Sequence, residues 1–240
     1  MTYTERLENI GKTLLNYSHI SKAYHYFKNR SNKHAVFLWI PKNAGTSIYR
    51  TLKNYGCLKA KKIERVKYRF SQTGLVTFGH MDYGRLLEEG YISEKYASKA
   101  FVFCFSRNPY DRAVSLYEYF KGSLTRHMTF REFIQMIHEQ DVHPIGLHNS
   151  MACSHCNPQV RWLEKQKPDF CGSYENLAED FNKVLEELDL PGESLLHLNK
   201  SRRRRYTDYY DLETKRRVDD FYREDFEYFQ YPYLDESLFS

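Results

Sequence analysis

Two short segments of the 240-residue sequence hold residue types that grip anions, and each follows an apolar run. The first is Pro41-Lys42-Asn43-Ala44-Gly45-Thr46-Ser47, directly after HAVFLWI at 34–40. Where a strand turns into a helix, the first backbone N–H groups have no intrahelical acceptor and the helix dipole favours negative charge. Gly45 lets that backbone approach an anion without a Cβ in the way. Thr46 and Ser47 add hydroxyl donors, and Lys42 adds a mobile ammonium. The chemistry this suits is phosphate binding. Nucleoside triphosphatases carry the lysine after the last glycine of GxxxxGK[ST]. Here Lys42 precedes Gly45, which disfavours an ATPase. The plain alternative is an ordinary turn with a Ser or Thr cap.

The second segment is SRNPYDRAVSLY at 106–117, after AFVFCFS at 100–106. Arg107 can fork two hydrogen bonds onto a phosphate, or it can pair with Asp111 across the helix start. Pro109 suits the first position of a helix, and Ser115 follows about two turns in. In an open parallel sheet, ligands bind beyond the carboxyl ends of the strands. Lys42 and Arg107 both fall at such ends, so the expected ligand has two separate anionic groups.

The elements that must position these residues alternate. Strands are predicted over 34–40, 73–79, 100–106 and 169–173, with a last one at 195–198. Helices are predicted over Thr46–Tyr55, Pro109–Phe120, Thr129–Glu139, Asn176–Leu188 and Asp211–Phe229, from apolar residues at helical spacing. Residues 57–71 show no clear period, and 140–160 read as loop. The expected fold is α/β, a P-loop-like three-layer α/β/α arrangement with a central, mostly parallel sheet. Residues 1–32 read as an N-terminal helical extension and 33–240 as one domain.

Composition excludes several classes. Hydrophobic residues make up 41% of the chain, enough for a packed core. The net charge of +5 is too mild to indicate nucleic acid, but it is unevenly spread. Residues 51–70 carry seven Lys or Arg against one Glu, and a second run is Lys200 with Arg202 to Arg205. Such runs suit anionic ligands or are solvated faces. Five cysteines do not describe a disulfide scaffold. Cys153-Ser-His-Cys156, with His143 and His148 near it, lacks the second pair of a zinc finger. No run reaches the length of a membrane span, and the first residues lack a signal-peptide pattern. The expectation is a cytoplasmic chain as given, or a Golgi-lumen one if it is a trimmed catalytic part.

PKNAGTS after a strand, followed by RNPYDRAVSLY after a later strand, resembles the sulfotransferase superfamily, and within it the carbohydrate sulfotransferases of the heparan sulfate 2-O/chondroitin group. GHMDYG at 79–84, NPQVRWL at 157–163, YENLAEDF at 174–181, LNKSRRRRY at 198–206 and FYREDFEYFQY at 221–231 extend the likeness over roughly residues 33–233. The resemblance implies 3′-phosphoadenosine 5′-phosphosulfate (PAPS) as donor. Lys42, Asn43, Ala44, Gly45, Thr46 and Ser47 would hold its 5′-phosphosulfate, and Arg107 and Ser115 its 3′-phosphate. Asn43 and Ala44 stand where relatives often have Thr and Gly. Lys200, Ser201 and Arg202 would lie in a loop around the nucleotide.

In-line displacement at sulfur by a hydroxyl needs positioning, charge stabilisation and a base. Lys42 would stabilise the leaving group, and no metal is required. His80 resembles the family's catalytic histidine, with a structural histidine as the alternative. Asp82 is the rival base or the group that orients His80. Arg203 to Arg205 and the 59–69 run would grip an anionic glycan. Trp162 is expected to be a packing residue that could otherwise stack on a sugar or adenine. Glu175 and Asn176 are expected to cap the following helix. Two other functions fit part of the pattern: a nucleotide- or polyanion-binding module without catalysis, and a P-loop-type small-molecule kinase.

Overall fold

The most apolar run becomes the longest strand among the described residues. Phe101–Ser106 is buried almost throughout and pairs on both sides. The computed structural model of the chain describes residues 19–30, 32–59, 70–123, 125–139, 155–192 and 204–239. In chain order these residues form α1 (His19–Asn29), β1 (Ala35–Leu38), α2 (Gly45–Asn54), β2 (Leu58–Lys59), β3 (Leu75–Thr77), α3 (Tyr83–Glu88) and α4 (Glu94–Ala97). There follow β4 (Phe101–Ser106), α5 (Pro109–Phe120), α6 (Phe130–Glu139), a 3₁₀ turn at Gln159–Trp162, β5 (Phe170–Ser173), α7 (Leu177–Glu187), α8 (Leu212–Phe221) and α9 (Arg223–Phe229).

The five strands run in the order β2-β3-β1-β4-β5, and every pairing is parallel. Side chains alternate across the sheet. Phe37, Phe103 and Phe105 pack on one face against Ile48 and Leu52 of α2 and Phe181 and Val184 of α7. Val36, Leu38 and Val102 pack on the other against Tyr83 and Leu86 of α3, Tyr96 of α4 and Trp162. This is the three-layer α/β/α fold. A further apolar cluster joins α5, α6, α8 and α9. The chain first moves from β1 to the β2–β3 side and later to the β4–β5 side, so the connections diverge between β1 and β4. In sheets of this kind the ligand crevice lies there, beyond the carboxyl ends of the strands.

Three differences from the sequence reading have local causes. The helix expected over 211–229 is two helices, because Tyr222 turns out of helical geometry (φ −104°, ψ 22°). The aperiodic 57–71 stretch begins with the two-residue strand β2, too short for its alternation to register. Asp82 and Ser93 cap the short helices α3 and α4, which the sequence reading passed over. The N-terminal helices before residue 19, the basic run 60–69, the loop 140–154 with Cys153, His143 and His148, and the strand at 195–198 lie outside the described residues.

Candidate active site

The β1–α2 turn is made of strained backbone. Lys42 (φ 72°) and Ala44 (φ 59°) occupy the left-handed region, which costs a residue bearing a Cβ about 1–2 kcal/mol. Ala44 is the N-cap of α2, and no side chain caps it. The Ser/Thr-capped turn that the sequence left open therefore does not form. A Cβ on Gly45 would lie 1.9 Å from the Trp39 indole nitrogen, so only glycine fits beneath that ring. By helix geometry, the N–H groups of Gly45 and Thr46 have no acceptor within α2.

The β4–α5 turn is closed instead. The Asn108 side chain accepts from the N–H of Tyr110 (3.0 Å) and Asp111 (3.5 Å), and Pro109 has no N–H to satisfy. Arg107 is buried. Its Nε donates to Asp111 Oδ2 (2.8 Å), its Nη2 lies 2.6 Å from the same oxygen, and its Nη1 donates to the Lys42 carbonyl (2.9 Å). The guanidinium carbon stands 3.9 Å from the Tyr174 ring centroid. Arg107 thus makes the Asp111 pair foreseen as an alternative and also lines the cavity described below. Three of its five N–H donors are committed, which leaves two.

Buried polar side chains tie the two turns together. Asn43 donates through Nδ2 to the Phe105 carbonyl (2.6 Å) and to Gln159 Oε1 (2.7 Å). Gln159 also accepts from the Arg107 N–H and donates to the Arg107 carbonyl. Arg112, fully buried, donates to the carbonyls of Pro41, Asn157 and His155. Asp225 accepts from Gln159 and from the N–H of Val160. Burial raises its pKa to about 6, against the pull of Arg112.

His80 meets the crevice from the end of β3. Its Nδ1 lies 2.8 Å from the Trp39 carbonyl, which can only accept, so Nδ1 carries the proton and Nε2 the lone pair. Burial lowers its pKa to about 4. The Trp39 bond opposes that shift, and the charges of Lys59, Arg112 and Lys42 add to it. The His155 ring meets it edge-on at 4.7 Å, and burial lowers the His155 pKa to about 3. Both imidazoles are neutral at pH 7.

One cavity of about 940 Å³ collects these groups. Lys42, Ala44, Gly45, Thr46 and Ser47 line it from the first turn, with Lys42 Nζ 4.1 Å from the Tyr119 ring centroid. Arg107 and Ser115 line it from the second, and His80 and His155 from the β3 side. The start of α7, from Tyr174 to Glu179, closes another wall. Asn176 offers α7 no side-chain cap. Glu175 accepts from the Asn108 N–H and from the hydroxyls of Ser173 and Tyr231. The helix does start at this pair, with Asn176 as its N-cap residue, but without a side-chain cap bond.

Several expected site residues stand elsewhere. The Asn43 side chain points into the buried tie, not the cavity. Asp82 neither lines the cavity nor orients His80; its carboxylate caps α3 by accepting from the Arg85 N–H, and the Trp39 carbonyl holds His80 instead. Arg204 is exposed, away from the cavity lining and 5.0 Å from the Tyr209 ring centroid. Trp162 is a packing residue that donates to the His80 carbonyl. Lys200, Ser201, Arg202 and Arg203 lie outside the described residues. Among the described residues, no cluster of His, Cys, Asp and Glu could hold a metal ion. The sequence reading missed Arg112, Gln159, His155 and Tyr174. Each lies within or beside a segment that carries the resemblance, the one signal that pointed at them.

Comparison with known proteins bears on the family and the fold. Residues 24–232 match the family model described as "Sulfotransferase family". An uncharacterized protein of Archaeoglobus fulgidus is 32% identical over 117 residues, which cover 48% of this chain and 82% of that protein. Mouse sulfotransferase SULT7A1, solved in complex with PAP, shares the fold at a TM-score of 0.50 and 15% identity, over 81% of this chain and 85% of that one. A sulfotransferase from Alicyclobacillus acidocaldarius superposes at a TM-score of 0.46 and 12% identity, over 81% and 93%.

Proposed function

The chain belongs to the sulfotransferase family, and from that premise we propose that it transfers a sulfuryl group from PAPS to a hydroxyl of a carbohydrate. The observation that carries this reading is the meeting of an uncapped helix start, Lys42, Arg107 and a neutral His80 in one cavity. The mouse sulfotransferase of like fold was solved with PAP, the nucleotide left when PAPS gives up its sulfuryl group. When bound, PAPS supplies an electrophilic sulfur and a phosphate leaving group.

The chain's own residues do the rest. The N–H groups of Gly45 and Thr46 and the hydroxyls of Thr46 and Ser47 hold the 5′ end. Lys42 offsets the charge that grows on the leaving oxygen. The two remaining N–H groups of Arg107, with Ser115, hold the 3′-phosphate, and Tyr174 keeps the guanidinium flat against its ring. Lys42 and Arg107 supply the positive charge that a metal would otherwise bring. His80 takes the acceptor's proton at Nε2, the nitrogen left open by the bond from Nδ1 to Trp39. Its pKa of about 4 is set first by burial, with the charges of Lys59, Arg112 and Lys42 adding to the shift. The negative charge of the donor offsets those cations and raises the proton affinity of Nε2.

A carbohydrate acceptor rests on the likeness of the two loop motifs, and the basic residues 203–205 and 59–69 are assigned to an anionic one. The test is transfer from radiolabelled PAPS to a panel holding desulfated and uronic-acid polysaccharides, tyrosine peptides and small phenols. Label in a polysaccharide is expected. Label in a peptide or phenol alone overturns the carbohydrate reading, and no label in any acceptor overturns transfer.

A further inference from the structure

Gln159 sits where the two anion-holding turns meet, yet it touches neither anion. It belongs to the 3₁₀ turn between α6 and β5 and is fully buried. Its amide orientation is forced, because the Arg107 N–H can only donate and the Arg107 carbonyl can only accept. Oε1 accepts from Asn43 Nδ2 at 2.7 Å and from the Arg107 N–H at 3.0 Å. Nε2 donates to the Arg107 carbonyl at 2.8 Å and to Asp225 Oδ2 at 3.2 Å. All four hydrogen-bonding positions of the amide are therefore used, one on the first turn, two on the second and one on α9 behind both. Asp225 is itself held by the Val160 N–H, next in sequence to Gln159.

We propose that Gln159 is a positioning residue that fixes the span between the two turns, and so makes the site select a nucleotide with anionic groups at both ends over one with a single anionic end. This rests on the reading of the cavity as a PAPS site. The physical reason is registration. A ligand gripped at one end settles wherever that grip is best, whereas one gripped at both ends binds tightly only if the grips lie the right distance apart. The first turn is strained at Lys42 and Ala44 and has no side-chain cap, so its distance from Arg107 is set by bonds across to the second turn: Arg107 to the Lys42 carbonyl, Arg112 to the Pro41 carbonyl, Asn43 to the Phe105 carbonyl, and those of Gln159. Gln159 bridges that distance through an amide that cannot rotate without breaking buried bonds.

The test compares affinities for PAP and 5′-AMP by calorimetry in the wild-type protein, Gln159→Leu and Gln159→Glu. PAP carries phosphate at both ends of the nucleoside, and AMP at one. Wild-type protein is expected to favour PAP strongly. In Gln159→Leu the PAP-to-AMP preference should fall about tenfold or more, as the loss of buried hydrogen bonds implies, with AMP affinity changed much less. Gln159→Glu keeps the shape and sets a carboxylate against Asp225, so its preference should fall at pH 8 and recover toward pH 5.5, where one proton bridges the pair. It also serves if the leucine variant does not fold. A change in thermal stability with an unchanged PAP-to-AMP ratio in the folded variants overturns the positioning role. A wild-type protein that does not prefer PAP over AMP overturns the reading of the cavity instead.

Discussion

The β1–α2 and β4–α5 turns have the same ancestry in the sheet and opposite construction. Both leave a buried parallel strand at its carboxyl end and start a helix over one cavity. The second is closed by Asn108, which occupies the N–H groups of Tyr110 and Asp111, and by Pro109. The first has neither cap nor proline at its helix start, and it carries two strained residues. A helix start whose donors are already used can bind anions only through side chains, which in the proposed site are those of Arg107 and Ser115. One whose donors are open can bind through the backbone, in the proposed site with Lys42 above it. Backbone donors are fixed before the reaction starts and suit the end where charge develops. A side-chain fork suits a phosphate that stays unchanged.

The largest effect should come from the open turn. Lys42→Ala is expected to lower kcat by about 10²–10³-fold, while Arg107→Gln raises the KM for PAPS by tens of fold with a smaller loss in kcat. Steady-state kinetics on both variants checks this. If Arg107→Gln lost kcat as severely as Lys42→Ala at an unchanged KM, the division of labour between the turns would be wrong. Gly45→Ala should come next. Its Cβ meets the Trp39 ring at 1.9 Å, an overpacking expected to cost about 1–3 kcal/mol. Urea unfolding measures the cost, and PAP binding should weaken with it.

Asn108→Ala removes the cap of the closed turn and should cost about 0.5–2 kcal/mol, with PAP affinity in the folded protein little changed. A large loss of affinity would mean that the second turn also binds through its backbone.

The remaining effect is in pH. His80 and His155 have folded pKa values of about 4 and 3, below the ordinary 6.5. The unfolded chain therefore takes up protons that the folded one refuses, and stability falls as pH drops below 6.5. Asp225, raised to about 6 from 3.8, works in the other sense: its share of stability is whole below 3.8 and lost as pH rises through about 6. The two histidines outweigh the one aspartate. Unfolding of His155→Phe at pH 7 and 4.5 should show a shallower acid loss than the wild type, and an equal loss would argue against a neutral, buried His155.

The open turn was the more legible of the two. Its glycine, lysine and hydroxyls are local, within six residues, and strand-then-helix patterning placed them at the carboxyl end of a strand. Arg107 was legible as a candidate but ambiguous, because only tertiary packing could bring Asp111, the Lys42 carbonyl and Tyr174 around it at once. The buried tie was not legible. A polar residue such as Gln159 or Arg112 reads as surface in any periodic pattern, and what buries it is contact with segments 43 to 116 residues away. Asp82 misled for the opposite reason, since its carboxylate looked catalytic beside His80 and proved to be a cap three residues before Arg85. The apolar strands and the helix Pro109–Phe120 formed where periodicity set them.

The bare start of α2 has a last consequence. Asp82, Ser93, Asn108 and Asp211 each finish a helix with a side-chain oxygen, whereas α2, α7 and α9 have none, and the first turns of α2 and α7 line the cavity. In the proposed PAPS site the nucleotide's oxygens supply that missing part, which makes the substrate a structural member of the protein as well. Melting temperature should rise with PAP concentration, as for any ligand held only by the folded state. Amide hydrogen exchange should slow most sharply at Gly45 and Thr46.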